Sequence, residues 1–325
     1  MARLALLGAA LLCALAVSTQ GHPGSDEASG RKLLDSHLIR PSDKYNYREL
    51  GYDWRNAGLN NCAGDMQSPV NIMRGALADP ADRTDASEID LRGMGASDTY
   101  VIGNSGSDQP GVKINLEQDM QLTFESENLP GAQKPQIRIP KSADSLKTFT
   151  PLQLHFHHFL SEHTVNGKHF PLEAHLVMKD EDSDQLAVIG ILYEYTEEET
   201  QDDPFIDRLQ DLAKDLVANG ASWGDNGVDT SSVRPDFQID VRDDLLPTEG
   251  TNPLAHYGYD GSLTTPPCDE RVKWFVFANT RKVSPAQMKV FADATLNAHP
   301  SAAITNNRVI QPLNQRQVYN YGVSV

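Results

Sequence analysis

Apolar residues in this chain fall mostly in short runs, many alternating with polar ones, which is the spacing of strands rather than of long helices. Runs at 99–104, 112–116, 120–124, 153–159, 173–178, 185–195 and 272–279 read as strands. Two segments carry helical spacing instead. Residues 204–219 bring Phe205, Ile206, Leu209, Leu212, Leu216 and Val217 near one face. Ser284-Pro285-Ala286-Gln287 is a capping box with proline at the first helical position, which predicts a helix from there to about His299, before Pro300. The pattern predicts an α+β, β-dominated fold, a large sheet with peripheral helices.

The ends of the chain change the picture. An apolar run, 4–17, follows Arg3 and closes on the small residues Ala16-Val17-Ser18. Residues 1–18 therefore read as a signal peptide, since the run falls short of the roughly 20 residues a membrane span needs. Residues 19–44 are polar and charged and read as a flexible segment; 45–325 reads as a single globular domain. No second hydrophobic stretch and no anchor signal follow, so the expected product is soluble and enters the secretory pathway, for an extracellular or periplasmic-type compartment. The net charge of −17 argues against nucleic acid and anionic membranes as partners and favours solubility in a saline or mineral-rich medium. Cys13 leaves with the signal, and the remaining pair, Cys62 and Cys268, is expected to form a disulfide.

Candidate chemistry concentrates in 153–177, which holds six of the ten histidines. His155 and His157 are two apart in an apolar run and share one face of a strand. Glu173 and His175 share a face of a second strand, and Asn166-Gly167 offers a turn that would let the two pair. Three imidazoles could then converge, and three neutral nitrogens with an open fourth position describe a catalytic zinc site. Gln153 and Glu173 lie on the faces of these histidines, placed to accept their second N–H. His158 is the competitor in the run, but its same-face neighbours are Phe156 and Leu160, which bind no metal. Downstream, Gly261-Ser262-Leu263-Thr264-Thr265-Pro266-Pro267-Cys268 reads as a rigid polar loop able to hold a hydroxyl against a metal-bound ligand. No H-E-x-x-H motif of another zinc hydrolase is present.

Taken together these stretches resemble the α-class carbonic anhydrases of the secreted, disulfide-containing type. The carrying residues are QSPVNI (67–72), QLHFH (153–157), SEHTVNGKHFPLEAHLV (161–177), LAVIGIL (186–192), YDGSLTTPPC (259–268) with Val272 and Trp274, and NNRVIQPL (306–313). They occur in the family's order over about 45–315. The resemblance implies a large twisted, mainly antiparallel central sheet with zinc at the bottom of a conical cleft. It implies reversible hydration of carbon dioxide to bicarbonate through zinc-bound hydroxide, with sulfonamides and anions as inhibitors. His155, His157 and His175 match the Zn2+ ligands; Gln153 and Glu173 match the partners of His155 and His175, and the backbone of Asn306 that of the remaining ligand. Thr264 matches the hydroxyl that accepts the hydroxide proton, and Glu162 the carboxylate that accepts from Thr264. Thr265, Val177, Val188, Leu263, Val272 and Trp274 match the substrate pocket, His163 a buried structural histidine, and Cys62 with Cys268 the disulfide. Tyr47 matches the family's cleft tyrosine, with Tyr45 the alternative.

One departure stands out. Fast members carry a proton-shuttling histidine after an Asn-Asn-Gly-like run, whereas the matching stretch here, 103–109, places Ser107 near that position. Serine does not titrate near neutrality. Slower, buffer-dependent turnover is the expectation, unless His158, His169 or Asp108 takes the role. The competing reading is a non-catalytic binding, storage or mineral-associated member of the fold, but such relatives commonly lose a ligand histidine, and all three are present.

Overall fold

The computed structural model describes residues 45–56, 61–83, 91–93, 101–103, 111–117, 119–125, 136–142, 145–198, 201–298 and 304–324. They belong to a unit running from Asp43 to Val325. The expectations placed on the signal segment, the 19–44 segment, Ser107 and Asp108 lie outside the described residues.

The strands in chain order are β1 (Asn71–Ile72), β2 (Val101–Gly103), β3 (Val112–Ile114), β4 (Leu122–Phe124), β5 (Ile137–Ser142), β6 (Ser145–His158), β7 (Thr164–Val165), β8 (Leu172–Asp180), β9 (Leu186–Tyr195), β10 (Val228–Asp229), β11 (Gln238–Asp240), β12 (His256–Gly261), β13 (Val272–Phe277), β14 (Arg281–Val283) and β15 (Tyr319–Tyr321). Eleven of them form one sheet along the path β10-β3-β4-β6-β8-β9-β13-β12-β15, with β5 beside β6 and β14 beside β9. Pairing is antiparallel except where β13 and β14 meet β9. The expected β-dominated, mainly antiparallel sheet is therefore present. β6, β8 and β9 occupy its middle. β8 reads Leu-Glu-Ala-His-Leu-Val-Met-Lys-Asp and is buried at every position but Lys179, as a strand covered on both faces must be.

One face of the sheet carries the larger apolar core, with Leu154, Phe156, Leu176, Ile189 and Ile191 from the strands. Helix α1 (Pro204–Ala218) lays Phe205, Ile206, Leu209, Leu212 and Leu216 into that core, and the Asp203 side chain caps its first turn by accepting from Phe205 and Ile206 N–H. The second expected helix starts later than the sequence indicates. α2 is Lys289–Ala298. The capping box does form, with Gln287 N–H donating to Ser284 Oγ at 3.3 Å and Ser284 N–H to Gln287 Oε1 at 3.2 Å. Gln287 is drawn away by α1, however: its amide donates to Asp203 O and Asp207 Oδ1, each at 2.8 Å, so residues before Lys289 stay in turns.

The Asn166-Gly167 turn also differs in its role. Both residues have positive φ, 50° and 78°. They close only the small Val165–Lys168 bridge, because Thr164–Val165 breaks off to pair with β1. β6 and β8 pair antiparallel across this longer excursion.

Candidate metal centre

Register brings the histidines together. In the β6–β8 pair His155 lies directly opposite His175, and His157 opposite Glu173. The rings of His155, His157 and His175 sit with centroids 4.6–5.1 Å apart, and one nitrogen from each lies within 4.8 Å of the others. His157 and His175 are buried, whereas His155 is partly exposed.

Two of the three rings are oriented by acceptors. His157 Nδ1 donates to the Asn306 carbonyl at 2.8 Å, which leaves its Nε2 buried with no hydrogen-bond partner. His175 Nε2 donates to Glu173 Oε1 at 2.8 Å, which leaves Nδ1 to face the cluster. The expected Gln153–His155 contact is not made: Gln153 Oε1 and His155 Nδ1 are both buried and both without a partner. Gln153 sits next to the irregularity between Pro151 and Gln153, where β6 slips its register on β8.

Electrostatics keep the imidazoles in the ligand state. Burial pulls His155 down to about 3, and His175 adds to the shift while Glu173 opposes it. Burial likewise lowers His157 well below its usual value, assisted by His175 and His155, and lowers His175 against the pull of Glu173. Neutral histidine is the form that coordinates a metal. Burial works against the charge on Glu173, but His163 and His175 outweigh it and hold that carboxyl well below the carboxylate range.

Behind Glu173 a buried hydrogen-bonded chain leads away from the cluster. His163 joins Glu173 Oε1 through Nδ1 at 2.7 Å and the Tyr259 hydroxyl through Nε2 at 2.6 Å. Tyr259 donates to Ser68 Oγ at 2.9 Å, and Ser68 and Ser262 exchange bonds through their backbone N–H groups. Gly190 makes room for this arrangement. A Cβ there would stand 3.2 Å from Glu173 Oε1 and 3.4 Å from Val276 Cγ2.

Glu162 lies on the other side of the cluster, fully buried, with Oε2 3.4 Å from His157 Nε2 and 3.9 Å from His175 Nδ1. Its Oε1 accepts from Arg308 N–H at 2.8 Å. Burial pushes the carboxyl well above its usual range, and hydrogen bonding from Thr264 and the Arg308 N–H pulls it back. Thr264 and Glu162 are thus neighbours, as their spacing in the sequence could not establish. Burial carries Tyr45 up to about 12, with the Asp119 charge adding to the shift and Thr265 opposing it. Of the two tyrosines weighed for the cleft position, Tyr45 is the one on which Thr265 acts.

The expected pocket residues gather in one apolar cluster. Val177, Val188, Val272 and Trp274 are buried in it, with Leu263 packed against it. Val188 pairs with Val177 on one side and Trp274 on the other, a row across three strands, and Trp274 lies 4.8 Å from the His175 ring. His158 points elsewhere: it stacks on Phe291 and meets Thr295 Oγ1 at 3.1 Å. His169 meets Ser161 O at 2.8 Å.

Cys62 and Cys268 are joined in a disulfide. Arg308, given no role by its motif alone, secures the same region. Its guanidinium donates to Gln67 Oε1, Ser68 O and Cys62 O at 2.9, 2.8 and 3.2 Å. A buried arginine between an N-terminal loop and the Cys268 turn has no periodic signature, so only the structure reveals it.

Known proteins place this geometry. Residues 49–322 match the family model described as eukaryotic-type carbonic anhydrase. A carbonic anhydrase of Dunaliella salina is 45% identical over 299 residues, which cover 90% of this chain and 47% of that relative; the chain therefore spans about half the relative's length. The crystal structure of a halotolerant carbonic anhydrase from Dunaliella salina superposes with a TM-score of 0.70 at 41% identity, over 87% of this chain and all of that one. An α-carbonic anhydrase from Thermovibrio ammonificans, solved with the inhibitor sulfanilamide, gives 0.55 at 25% identity over 82% and 93% of the two chains. With the match running across nearly all of the sheet and its histidine cluster, the chain belongs to the eukaryotic-type, or α-class, carbonic anhydrase family.

Proposed function

We propose that this protein catalyses the reversible hydration of carbon dioxide to bicarbonate and a proton, with Zn2+ held by His155, His157 and His175. The observation that carries this reading is the convergence of three neutral, buried-side nitrogens within 4.8 Å, two of them with their other nitrogen already engaged. A buried His157 Nε2 without a partner would cost stability unless something occupies it. Three imidazole nitrogens as the ligand set suit zinc in its open, catalytic form.

When bound, zinc would supply a Lewis acid that lowers the pKa of a water to about 7, so that a nucleophile forms at neutral pH. The protein's residues do the rest. Asn306 and Glu173 fix the tautomers of His157 and His175. The Thr264 hydroxyl, donating to Glu162, is left able only to accept from the reacting water, which sets the direction of attack. A divalent cation among the histidines would strengthen the pull of Thr264 and Arg308 toward an ionised Glu162. Val177, Val188, Leu263, Val272 and Trp274 offer carbon dioxide, an apolar and weakly held substrate, a water-poor surface beside that point, with Thr265 lining the polar side. Sulfonamides and small anions should compete at the open position, in keeping with the sulfanilamide bound to the relative from Thermovibrio.

The reading extends to the whole chain as a single domain from residue 45, delivered by residues 1–18 to the secretory route. The Cys62–Cys268 disulfide fits an oxidising compartment. The acidic surface fits a salty one, like that implied for the halotolerant relative. Stopped-flow carbon dioxide hydration with metal assayed on the same sample tests the proposal. Hydration should track bound zinc and vanish in His175→Ala; stoichiometric zinc without hydration would refute it.

A further inference from the structure

Gln67 and Ser68 take no part in the chemistry proposed above, yet both are buried and both reach the loop that carries Thr264. Ser68 and Ser262 hold each other twice. Ser262 N–H donates to Ser68 Oγ at 3.1 Å, and Ser68 N–H donates to Ser262 Oγ at 2.9 Å. Gln67 takes the far end of the loop, where its Nε2 donates to Cys268 O at 3.2 Å. Two adjacent residues thus pin positions 262 and 268. Between them the loop closes on itself, through Leu263 N–H to Asp269 O at 3.1 Å and Cys268 N–H to Thr265 O at 2.9 Å. Thr264 lies inside that closed loop, just past Ser262.

The same pair reaches Glu162 by a second route. Arg308 Nη1 donates to Gln67 Oε1 at 2.9 Å and to Ser68 O at 2.8 Å, while Arg308 N–H donates to Glu162 Oε1 at 2.8 Å. Ser68 is therefore the common anchor of the threonine loop and of the carboxylate beside the histidines. It is itself held from the sheet. The Tyr259 hydroxyl of β12 donates to Ser68 Oγ at 2.9 Å, and Trp274 Nε1 of β13 donates to Ser262 O at 3.0 Å. The junction has no slack. A Cβ on Gly261 would collide with Ser68 Oγ and stand 2.8 Å from Tyr259 Cε2 and 2.9 Å from Trp274 Cδ1.

Resting on the proposed function, we infer that Ser68, backed by Gln67, is a positioning residue of the reaction. It sets the Thr264 hydroxyl against the Glu162 carboxylate, and through that pair it sets the direction from which the water attacks. A hydrogen bond weakens steeply as its angle and length depart from the ideal, so the hydroxyl orients the water only while both of its neighbours are held to one reference. Ser68 supplies that reference, through Ser262 to the hydroxyl and through Arg308 to the carboxylate. The histidine cluster does not depend on it in the same way. Tyr259 keeps its bond to His163 when the Ser68 hydroxyl is removed, so the Glu173–His175 contact stays supported.

A double-mutant cycle on the zinc-loaded protein tests this. Ser68→Ala should lower kcat/KM for carbon dioxide hydration about tenfold. Its zinc affinity, read from competition with a chelator, should stay within about twofold of wild type. Ser68→Ala combined with Thr264→Ala should be no slower than Thr264→Ala alone, because the hydroxyl that Ser68 positions is already gone. Amide hydrogen exchange in Ser68→Ala should quicken across 262–268 and stay unchanged in β6 and β8, a readout that needs no turnover. Gly261→Ala, which leaves Ser68 in place but sets a methyl against its Oγ, is the second variant and should show the same kinetic pattern. Losses that multiply in the double variant, a loss that follows zinc, or unaltered exchange in the loop overturns the inference alone. No hydration by the wild-type protein with zinc bound overturns the proposed function, and the role of Ser68 with it.

Discussion

Glu173 is the residue on which most of the cluster's polar contacts turn. It accepts from His175 and from both the ring and the backbone N–H of His163, so removing its charge frees one proposed ligand and strands another buried ring. Glu173→Ala is expected to weaken zinc binding by about 10–100-fold, read from competition with a chelator, before any effect on substrate is considered. Thr264→Ala should leave zinc affinity intact and lower kcat/KM by about 10²-fold or more, since it removes only the orienting hydroxyl. Acid should act on the metal-free protein through the same residues. His155 and His157 are held neutral when folded, so the unfolded chain binds more protons than the folded one below its histidine pKa of about 6.5. Their contribution is full above that pH and is lost as pH falls below it, toward about 3 for His155. The depressed Glu173 adds a second loss below the ordinary glutamate range. Glu162 and Asp119, whose carboxyls burial raises, work in the opposite direction, so in a Glu162→Gln, Asp119→Asn variant urea midpoints of the metal-free protein should fall steadily from pH 7 to pH 4, and one unchanged over that range would contradict the buried neutral histidines.

At the scale of elements, the sheet was legible where strands are long and apolar. β6, β8, β9 and β13 all appear in the alternation of the chain, and strand parity alone separates His155 and His157 from His158. The short β2, β3 and β4 were legible too, whereas β12, β5 and the short strands β1, β7, β10, β11, β14 and β15 were not. β12 reads His-Tyr-Gly-Tyr-Asp-Gly, with two glycines that count against a strand, and holds its place because Gly258 lets Tyr321 approach: a Cβ there would meet that ring at 2.6 Å. The start of α2 was missed because Gln287 answers to α1 as well as to its own cap, a tertiary competition no local motif reports. Gln153 shares the strand face of His155 as the alternation indicates, but a shared face does not by itself fix a side-chain hydrogen bond, and Gln153 Oε1 makes none. Joining Cys62 to Cys268 ties the threonine loop to the N-terminal segment. A Cys62→Ser, Cys268→Ser variant should lose about 2–5 kcal/mol in reversible unfolding. Gly190→Val is expected to act more locally, displacing Glu173 and lowering zinc affinity while leaving the disulfide intact, which mass spectrometry and metal titration would distinguish.

The whole molecule carries a net charge of −17, and most of that repulsion lies at the surface, where salt screens it. Thermal unfolding midpoints should rise as sodium chloride is raised from low concentration, the reverse of a protein held by exposed ion pairs. On the proposed function zinc should raise them further, because the folded site would hold it more tightly than the unpositioned histidines of the unfolded chain. The Asn306 carbonyl that orients His157 has one more consequence. It lies 149 residues beyond that histidine, and the Arg308 N–H that braces Glu162 comes 146 residues after it. A ribosome delivers the histidine strands long before either group. During synthesis the growing chain thus carries its proposed metal-binding side chains without the backbone that aims them. On the proposed function, tight loading of the metal would then be a late step in the protein's biogenesis, timed by the emergence of a stretch that supplies no ligand itself.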